Sequence, residues 1–306
     1  MLRSSDCLNT GTIDQVIFAS PLVRVGAFRC RPHHPLFRDS GPTENSCIVF
    51  SRTAVEIQPS HGVAFVANPN VVTFHNPGQL YRRRVVDRQG DYCDWFGVNL
   101  EVARDAVRAI NPSVDDRPET PFTDSHGRSD SATYLLQRKL FLHLRSGRIT
   151  DPLAVEESVI GLLERVMRLP PLFQVRHGPR AVSSGQREMV RQAEEILSRS
   201  PWERLTLQAV AAELGASAFH VCRLFHRVTG STLQRYRIRN RLCAALEAVT
   251  ESAQSLTEIA LDAGFSSHSH FSESFRREFG VSPSGVRNNL TARHRPVPVS
   301  LERDRK

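Results

Sequence analysis

Lysine is nearly absent from this chain of 306 residues: among 40 basic side chains, only Lys139 and Lys306 are not arginine. No apolar run approaches the ~18 residues that a membrane-spanning helix needs, because the longest candidates are interrupted by Arg or Pro. The first sixteen residues hold no apolar core after Arg3, so the sequence predicts no secretory signal. Cysteine numbers six, too few for a disulfide scaffold, and the expected compartment is the reducing cytoplasm. Several catalytic signatures are missing as well. There is no Gly-x-Ser-x-Gly, no phosphate-binding glycine loop, no His-Glu-x-x-His and no recognisably spaced carboxylate pair, so the expectation is a protein that is not an enzyme and needs no cofactor. What the chain has is a net charge of +8, which suggests a polyanionic partner, and more length than one core usually organises.

Residues 1 to about 120 read as short strands. Gln15 to Phe18, Leu22 to Cys30, Ser46 to Phe50, Ala54 to Ile57, Val63 to Val66 and Val71 to Phe74 are β-branched or aromatic, and Gly, Pro, Asn and Ser clusters separate them. Two helices are expected next. Ser131 to Arg145 carries Leu135, Leu136, Leu140, Phe141 and Leu144. Asp151 to Arg168 opens on an Asp-Pro cap and carries Val155, Val159, Leu162, Leu163 and Val166. A Pro, Gly, Ser and Arg-rich stretch over 173–186 reads as a linker. Residues 187–288 are strongly helical in pattern, and 289–306 read as a charged, disordered tail.

An internal repeat carries most of the information. Leu207-x-x-Val210-Ala211-x-x-Leu214-Gly215 is matched by Leu256-x-x-Ile259-Ala260-x-x-Ala263-Gly264, 49 residues later. Ser217 and Ser267 follow as N-caps, then Val221-x-x-x-Phe225 and Phe271-x-x-x-Phe275, and Gly230 and Gly280 as stops. Each copy is the outline of a helix-turn-helix, with Ala211 and Ala260 small where two helices cross closely. A helix over Thr232 to Val249 joins the copies. At ~1.5 Å per residue it is ~27 Å long, a span that lets two second helices enter successive major grooves about one DNA turn (~34 Å) apart.

The buried stripe defines the outer face. With Val221, Leu224, Phe225 and Val228 inside, Phe219, Cys222, Arg223 and His226 face outward. Arg223 is the best base reader, since its guanidinium matches the two acceptors of guanine, and Phe219 suits a thymine methyl. With Phe271, Phe275 and Phe279 inside, His268, Ser269, Ser272, Glu273 and Arg276 face outward. Glu273 either accepts from cytosine N4 or faces solvent. From Arg223 through Arg241 there are six Arg and no acid. Within that run Arg235 and Arg239, one helical turn apart, are expected to meet phosphate.

Ile259-Ala260-Leu261-Asp262-Ala263-Gly264-Phe265-Ser266-Ser267, then Phe271, Phe275-Arg276-Arg277 and Phe279-Gly280-Val281-Ser282-Pro283, resemble the signature of the AraC/XylS family of bacterial transcription regulators. The first copy matches less tightly, in Val210-Ala211, Ser217, Leu224-Phe225 and Gly230. The resemblance covers residues 187–288 and implies a seven-helix DNA-binding domain. It places base contacts on Phe219, Cys222 and Arg223, and on His268, Ser269, His270 and Glu273. Cys222 and Glu273 depart from the long polar or basic readers common there, so the operator sequence is not legible.

The family layout implies an α+β chain: a cupin-like β-barrel sensor over 1–120, a helical dimerisation segment over 121–172, and an all-α domain with two helix-turn-helix units. It implies as partners double-stranded DNA, a small-molecule effector, RNA polymerase and a second copy of the chain, with no membrane. The stripe Val155, Val159, Leu162, Leu163 and Val166 serves either a partner helix or the chain's own barrel. Tyr81-Arg82-Arg83-Arg84 is either an anion site or a strand with two exposed Arg. His33 and His34 are adjacent and point oppositely on a strand, so the His-x-His of metal-binding cupins is absent. Cys30-x-x-His33 with Cys47 or Cys93 is the remaining zinc arrangement, against buried Cys and surface His. Two rival readings are a metal-dependent cupin enzyme fused to a DNA reader, and a helical protein–protein adaptor.

Overall fold

A computed structural model describes residues 13–169 and 182–291. Strand β1 (Asp14–Ala19) hairpins onto β2 (Val23–Cys30); then come β3 (Asp39–Ser40), β4 (Ser46–Ser51), β5 (Val55–Pro59), β6 (Phe65–Ala67), β7 (Val71–His75), β8 (Tyr81–Val85) and β9 (Asp91–Val98). Helix α1 (Leu100–Arg108) and a 3-10 turn at Pro112–Asp116 precede β10 (His126–Arg128), α2 (Ser131–Arg145) and α3 (Pro152–Met167). The carboxyl-terminal part holds α4 (Ser184–Arg199), α5 (Leu207–Glu213), α6 (Ala218–Thr229), α7 (Leu233–Glu251), α8 (Leu256–Asp262), α9 (His268–Phe279) and α10 (Pro283–Thr291). The part of the expected linker up to residue 181 and the expected tail from 292 onward lie outside the described residues.

The strands form two antiparallel sheets, ordered β1-β2-β9-β4-β7-β10 and β3-β8-β5-β6. Among the described residues neither sheet closes on itself, so the expected barrel is corrected to two open sheets packed face to face. Alternation explains the layering. Val23, Val25, Ile48, Phe50, Val72, Phe96 and Val98 point to one face and share a core with the helices. Cys30 and Val71 point to the other, where Val55, Ile57, Phe65 and Ala67 of the second sheet meet them. Central strand β9 was not among the expected strands. Asp91 and Asp94 break its apolar pattern, yet both are buried because each meets an arginine: Arg83 lies 2.7 Å from Asp91, and Arg138 lies 2.8 Å from Asp94. Gly26 faces Trp95 across the β2–β9 ladder, and a Cβ there would fall 2.4 Å from the indole, so the close approach requires glycine.

The α3 stripe is settled by packing. Val155, Val159, Leu162, Leu163 and Val166 are all buried in the chain's own core, against α1, α2 and the sheet, and are not presented to a partner. The same apolar cluster continues into Leu242, Cys243, Leu246 and Val249 of α7 and Phe271 and Phe275 of α9. The β-rich half therefore shares one core with α7, α8, α9 and α10, while α4, α5 and α6 bury their apolar residues in separate clusters. Polar ties reinforce it. Arg52 donates to Glu247 (2.5 Å) and Glu251 (3.2 Å), Arg138 pairs with Glu251, and Asn68 donates to the Tyr236 hydroxyl (2.7 Å).

Of the Tyr81–Arg84 run, Arg83 is inside, stacked 4.3 Å from the Phe28 ring centroid and paired with Asp91; Arg82 and Arg84 face outward and pair with Asp39 and with Glu56 and Glu195. Among the described residues no three His, Cys, Asp or Glu side chains converge as metal ligands, and no helix is long and apolar enough to cross a membrane.

Candidate nucleic-acid interface

The two repeat copies fold alike, down to their caps. Thr206 Oγ1 accepts from Ala209 N–H at 3.1 Å to open α5; Ser255 and Glu258 form a reciprocal capping box on α8. Gly215 and Gly264, at φ +60° and +71°, turn the chain out of these helices. Ser217 Oγ and Ser267 Oγ each accept from a backbone N–H three residues on, at 3.2 Å, and start α6 and α9. Gly230 and Gly280, at φ +69° and +74°, end them. Left-handed backbone at such points is where a side chain is costly. Ala211 and Ala260 are buried where each pair of helices crosses.

On α6, Val221, Leu224, Phe225 and Val228 are buried, while Phe219, Arg223 and His226 are exposed and Cys222 is half-buried. Phe219 is 70% exposed, an unusual position for a phenyl ring with no partner in the core. The Arg223 guanidinium lies 5.4 Å from its ring centroid, a cation–π contact that holds the arginine upright on the helix. These residues line an open groove of about 400 Å³ together with Gln186, His220 and Arg227. Gln186, His220 and Arg227 were not singled out in the sequence. Arg227 follows Arg223 by one helical turn, a spacing that could have found it.

On α9, Phe271, Phe275 and Phe279 form an inward ladder, with successive centroids 5.6 and 4.7 Å apart. His268, Ser269, His270, Glu273 and Arg276 are all exposed. Glu273 is met by Arg277 at 2.6 Å, so its charge is balanced on the surface by a residue one turn further on. His270 stands edge-on to Phe265 at 5.4 Å.

The arginine run from 223 to 241 divides. Arg223, Arg227 and Arg235 are exposed. Arg239, expected at phosphate, is instead turned inward: it donates to Asn70 Oδ1 (2.7 Å) and Ser131 Oγ (3.1 Å) and pairs with Glu278 (3.3 Å). Two residues on, Arg241 donates to the carbonyls of Pro201 (2.5 Å) and Gly264 (3.3 Å), joining the loop before α5 to the turn before α9. Arg237 reaches the Leu205 carbonyl. In the inner half of the run Arg237 and Arg241 thus satisfy backbone oxygens and Arg239 meets half-buried side chains, because on α7 these residues lie against neighbouring parts of the chain.

Residues 210–289 match the model of a helix-turn-helix domain. The HTH-type transcriptional activator RhaS of Escherichia fergusonii is 39% identical over 90 residues, which is 29% of this chain and 32% of that protein. RhaS of Salmonella arizonae is 40% identical over the same lengths. The chain thus spans about a third of the length of the curated relatives it matches. Among solved structures, an AraC-type regulator from Chromobacterium violaceum is 27% identical, covering 36% of this chain and 97% of that one at a TM-score of 0.33. The DNA-binding domain of AdpA, solved with a target DNA, is 30% identical over 35% of this chain and 93% of that one, at a TM-score of 0.30.

Proposed function

We propose that this chain, whose carboxyl-terminal domain is an AraC/XylS-type double helix-turn-helix, is a sequence-specific DNA-binding regulator of transcription. The observation that carries the reading is the pair of reading helices, α6 and α9, built with the same caps and stops and each presenting an exposed polar face. Phe219, Cys222 and Arg223 read one major groove; His268, Ser269, His270 and Glu273 read the next. Ser217, Ser267, His226, Arg235 and Arg276 support them, the two serines through hydroxyl protons left over after capping and the rest toward phosphate. Arg239 is not part of this set.

The remainder of the proposal extends to the whole chain. The β-rich unit that precedes residue 120 receives a small-molecule effector, and α2 and α3 connect it to the DNA domain over 187–288. Effector binding shifts the position of α7, which Arg52, Asn68 and Asn70 hold from the turns between strands. The regulator acts on the bacterial nucleoid in the cytoplasm with RNA polymerase as its target, as a homodimer, and with a positive sign, as the curated relatives are named activators. A dimer contact must use surfaces other than the buried α3 stripe.

Fluorescence anisotropy of the purified chain on labelled DNA from its own upstream region, at two salt concentrations, tests the central claim. Selective binding that weakens steeply with salt is expected. Equal affinity for unrelated duplexes, or none, removes the reading.

A further inference from the structure

Arg128 closes β10 and Ser131 opens α2, so three peptide steps, at most ~10 Å of chain, separate them. Arg128 Nη2 donates to the Thr229 carbonyl at 2.9 Å. Thr229 is the last residue of α6, and its carbonyl is one of those that a helix end leaves without a partner; a cation is favoured there by the helix dipole. Gly230 leaves room for the contact, since a Cβ there would lie 3.1 Å from the guanidinium. Ser131 Oγ donates to the carboxylate of Glu278, one residue before the end of α9. Arg239 of α7 meets both partners, at 3.1 Å from Ser131 Oγ and 3.3 Å from Glu278. The C-terminal ends of both reading helices are therefore tied to one short piece of the N-terminal half, while their outer faces stay exposed.

That piece is itself fixed. β10 pairs with β7, Ser129 N–H donates to the Asn70 carbonyl at 2.9 Å, and the Asp130 carboxylate accepts from Thr133 N–H at 2.6 Å and pairs with Arg165 at 3.3 Å.

We infer that Arg128 and Ser131 are positioning residues that set the register between α6 and α9, and hence the number of base pairs between the two blocks the protein reads. The inference rests on the DNA-reading assignment above. Through α7, the first unit is held by the chain itself at the end of α6, and the second is held near the start of α9 by the bond from Arg241 to the Gly264 carbonyl. The Ser131 contact adds a second attachment at the far end of α9, the Arg128 contact anchors the end of α6 to the same short piece, and together they turn the joint into a brace. One base pair of added spacing moves a block by ~3.4 Å along the duplex, more than the length of the 2.9 Å bond it would have to preserve. A change of spacing must therefore break these ties or deform the DNA.

The experiment uses the intact chain. Duplexes are selected from a random pool with the wild type, and affinities are measured for the selected site and for copies with one base pair inserted or removed between its blocks. The same pair of measurements is made on the double variant Arg128→Met, Ser131→Ala and on Glu278→Ala, which removes the acceptor of the second tie from the other side. The wild type should discriminate against altered spacing roughly tenfold or more, a loss comparable to one mismatched base pair. Both variants should discriminate about threefold or less, with base preference inside each block unchanged. Because each ratio compares two DNAs on one preparation, a partial loss of folded protein cancels. Equal discrimination in wild type and variants overturns the inference and leaves the DNA-reading assignment intact, as does a uniform loss of affinity at every spacing. A wild-type selection that enriches no sequence overturns the assignment itself, and the inference with it.

Discussion

Arg223 is held over the exposed ring of Phe219, and neither residue has a role in the core. An arginine pre-oriented in this way loses less freedom when it meets a guanine, so its deletion should be felt in specificity. Arg223→Ala is expected to weaken specific binding by ~1–3 kcal/mol and to relax preference at one base position, measured by binding to a panel of single-base variants of a selected site. An equal loss on every sequence would identify Arg223 as a phosphate contact. Glu273 is a different case. Its pairing with Arg277 is a surface i,i+4 contact worth only ~0.3–0.5 kcal/mol, weak enough for a base to displace. Both outward positions were legible in the sequence, because the apolar stripe of an amphipathic helix fixes its opposite face. Arg239 was not legible: periodicity places it on α7 but says nothing about Asn70 and Glu278, which come from elsewhere in the chain.

At the scale of the element, the glycines that stop the helices differ in their surroundings although their backbone angles agree. Gly280, at φ +74°, has nothing within 4 Å of an added Cβ, whereas Gly264, at φ +71°, would place one 3.3 Å from the Trp202 carbonyl and from the Arg241 guanidinium. Gly280→Ala should cost about 1–2 kcal/mol, the strain of left-handed backbone alone. Gly264→Ala should cost more, because it also presses on the tie between the two units. Urea denaturation of the two variants checks the order, and a smaller loss for Gly264→Ala would contradict it. The turn signals that predicted these stops were local, as were the caps at Ser217, Ser267 and Asp151, which is why they could be read from the sequence. Strand β9 was missed for the opposite reason. A buried aspartate in a strand is tolerated only with its arginine; Arg138 lies 44 residues beyond Asp94, and Arg83, though near Asp91 in sequence, is on another strand in the other sheet, so neither pairing shows in the pattern of β9.

For the whole molecule, the junction of the two halves is where buried titratable groups collect. Burial pushes the Glu194 carboxyl up to about 8, with the Tyr236 hydroxyl and Arg191 only partly opposing it. The folded state therefore holds a proton that the unfolded chain has released above a pH of about 4.5, and folding is weakened as pH rises through the window to about 8. Glu194→Gln removes that dependence. Its stability relative to wild type should grow by on the order of 1.4 kcal/mol for each pH unit crossed, and level off above about 8. Urea midpoints between pH 6 and 9 test this, and a constant difference across that range would refute it. Burial acts in the other direction on His75 and His126, lowering both to about 4, so they contribute a loss of stability as pH falls from 6.5 toward that value.

Local pattern was enough for the repeat, its caps and stops, and which side of α6 and of α9 is polar, because all of these depend on residues within a few turns of one another. It also placed α2 and α3, whose apolar spacing is regular. Only the tertiary structure decided that the strands leave two open sheets, that the α3 stripe is covered by its own chain, and which arginines of a uniform run face outward. Those outcomes depend on pairings between residues tens to more than a hundred positions apart, such as Val23 with Val98 and Arg239 with Asn70. Such partners leave no periodic trace in either segment.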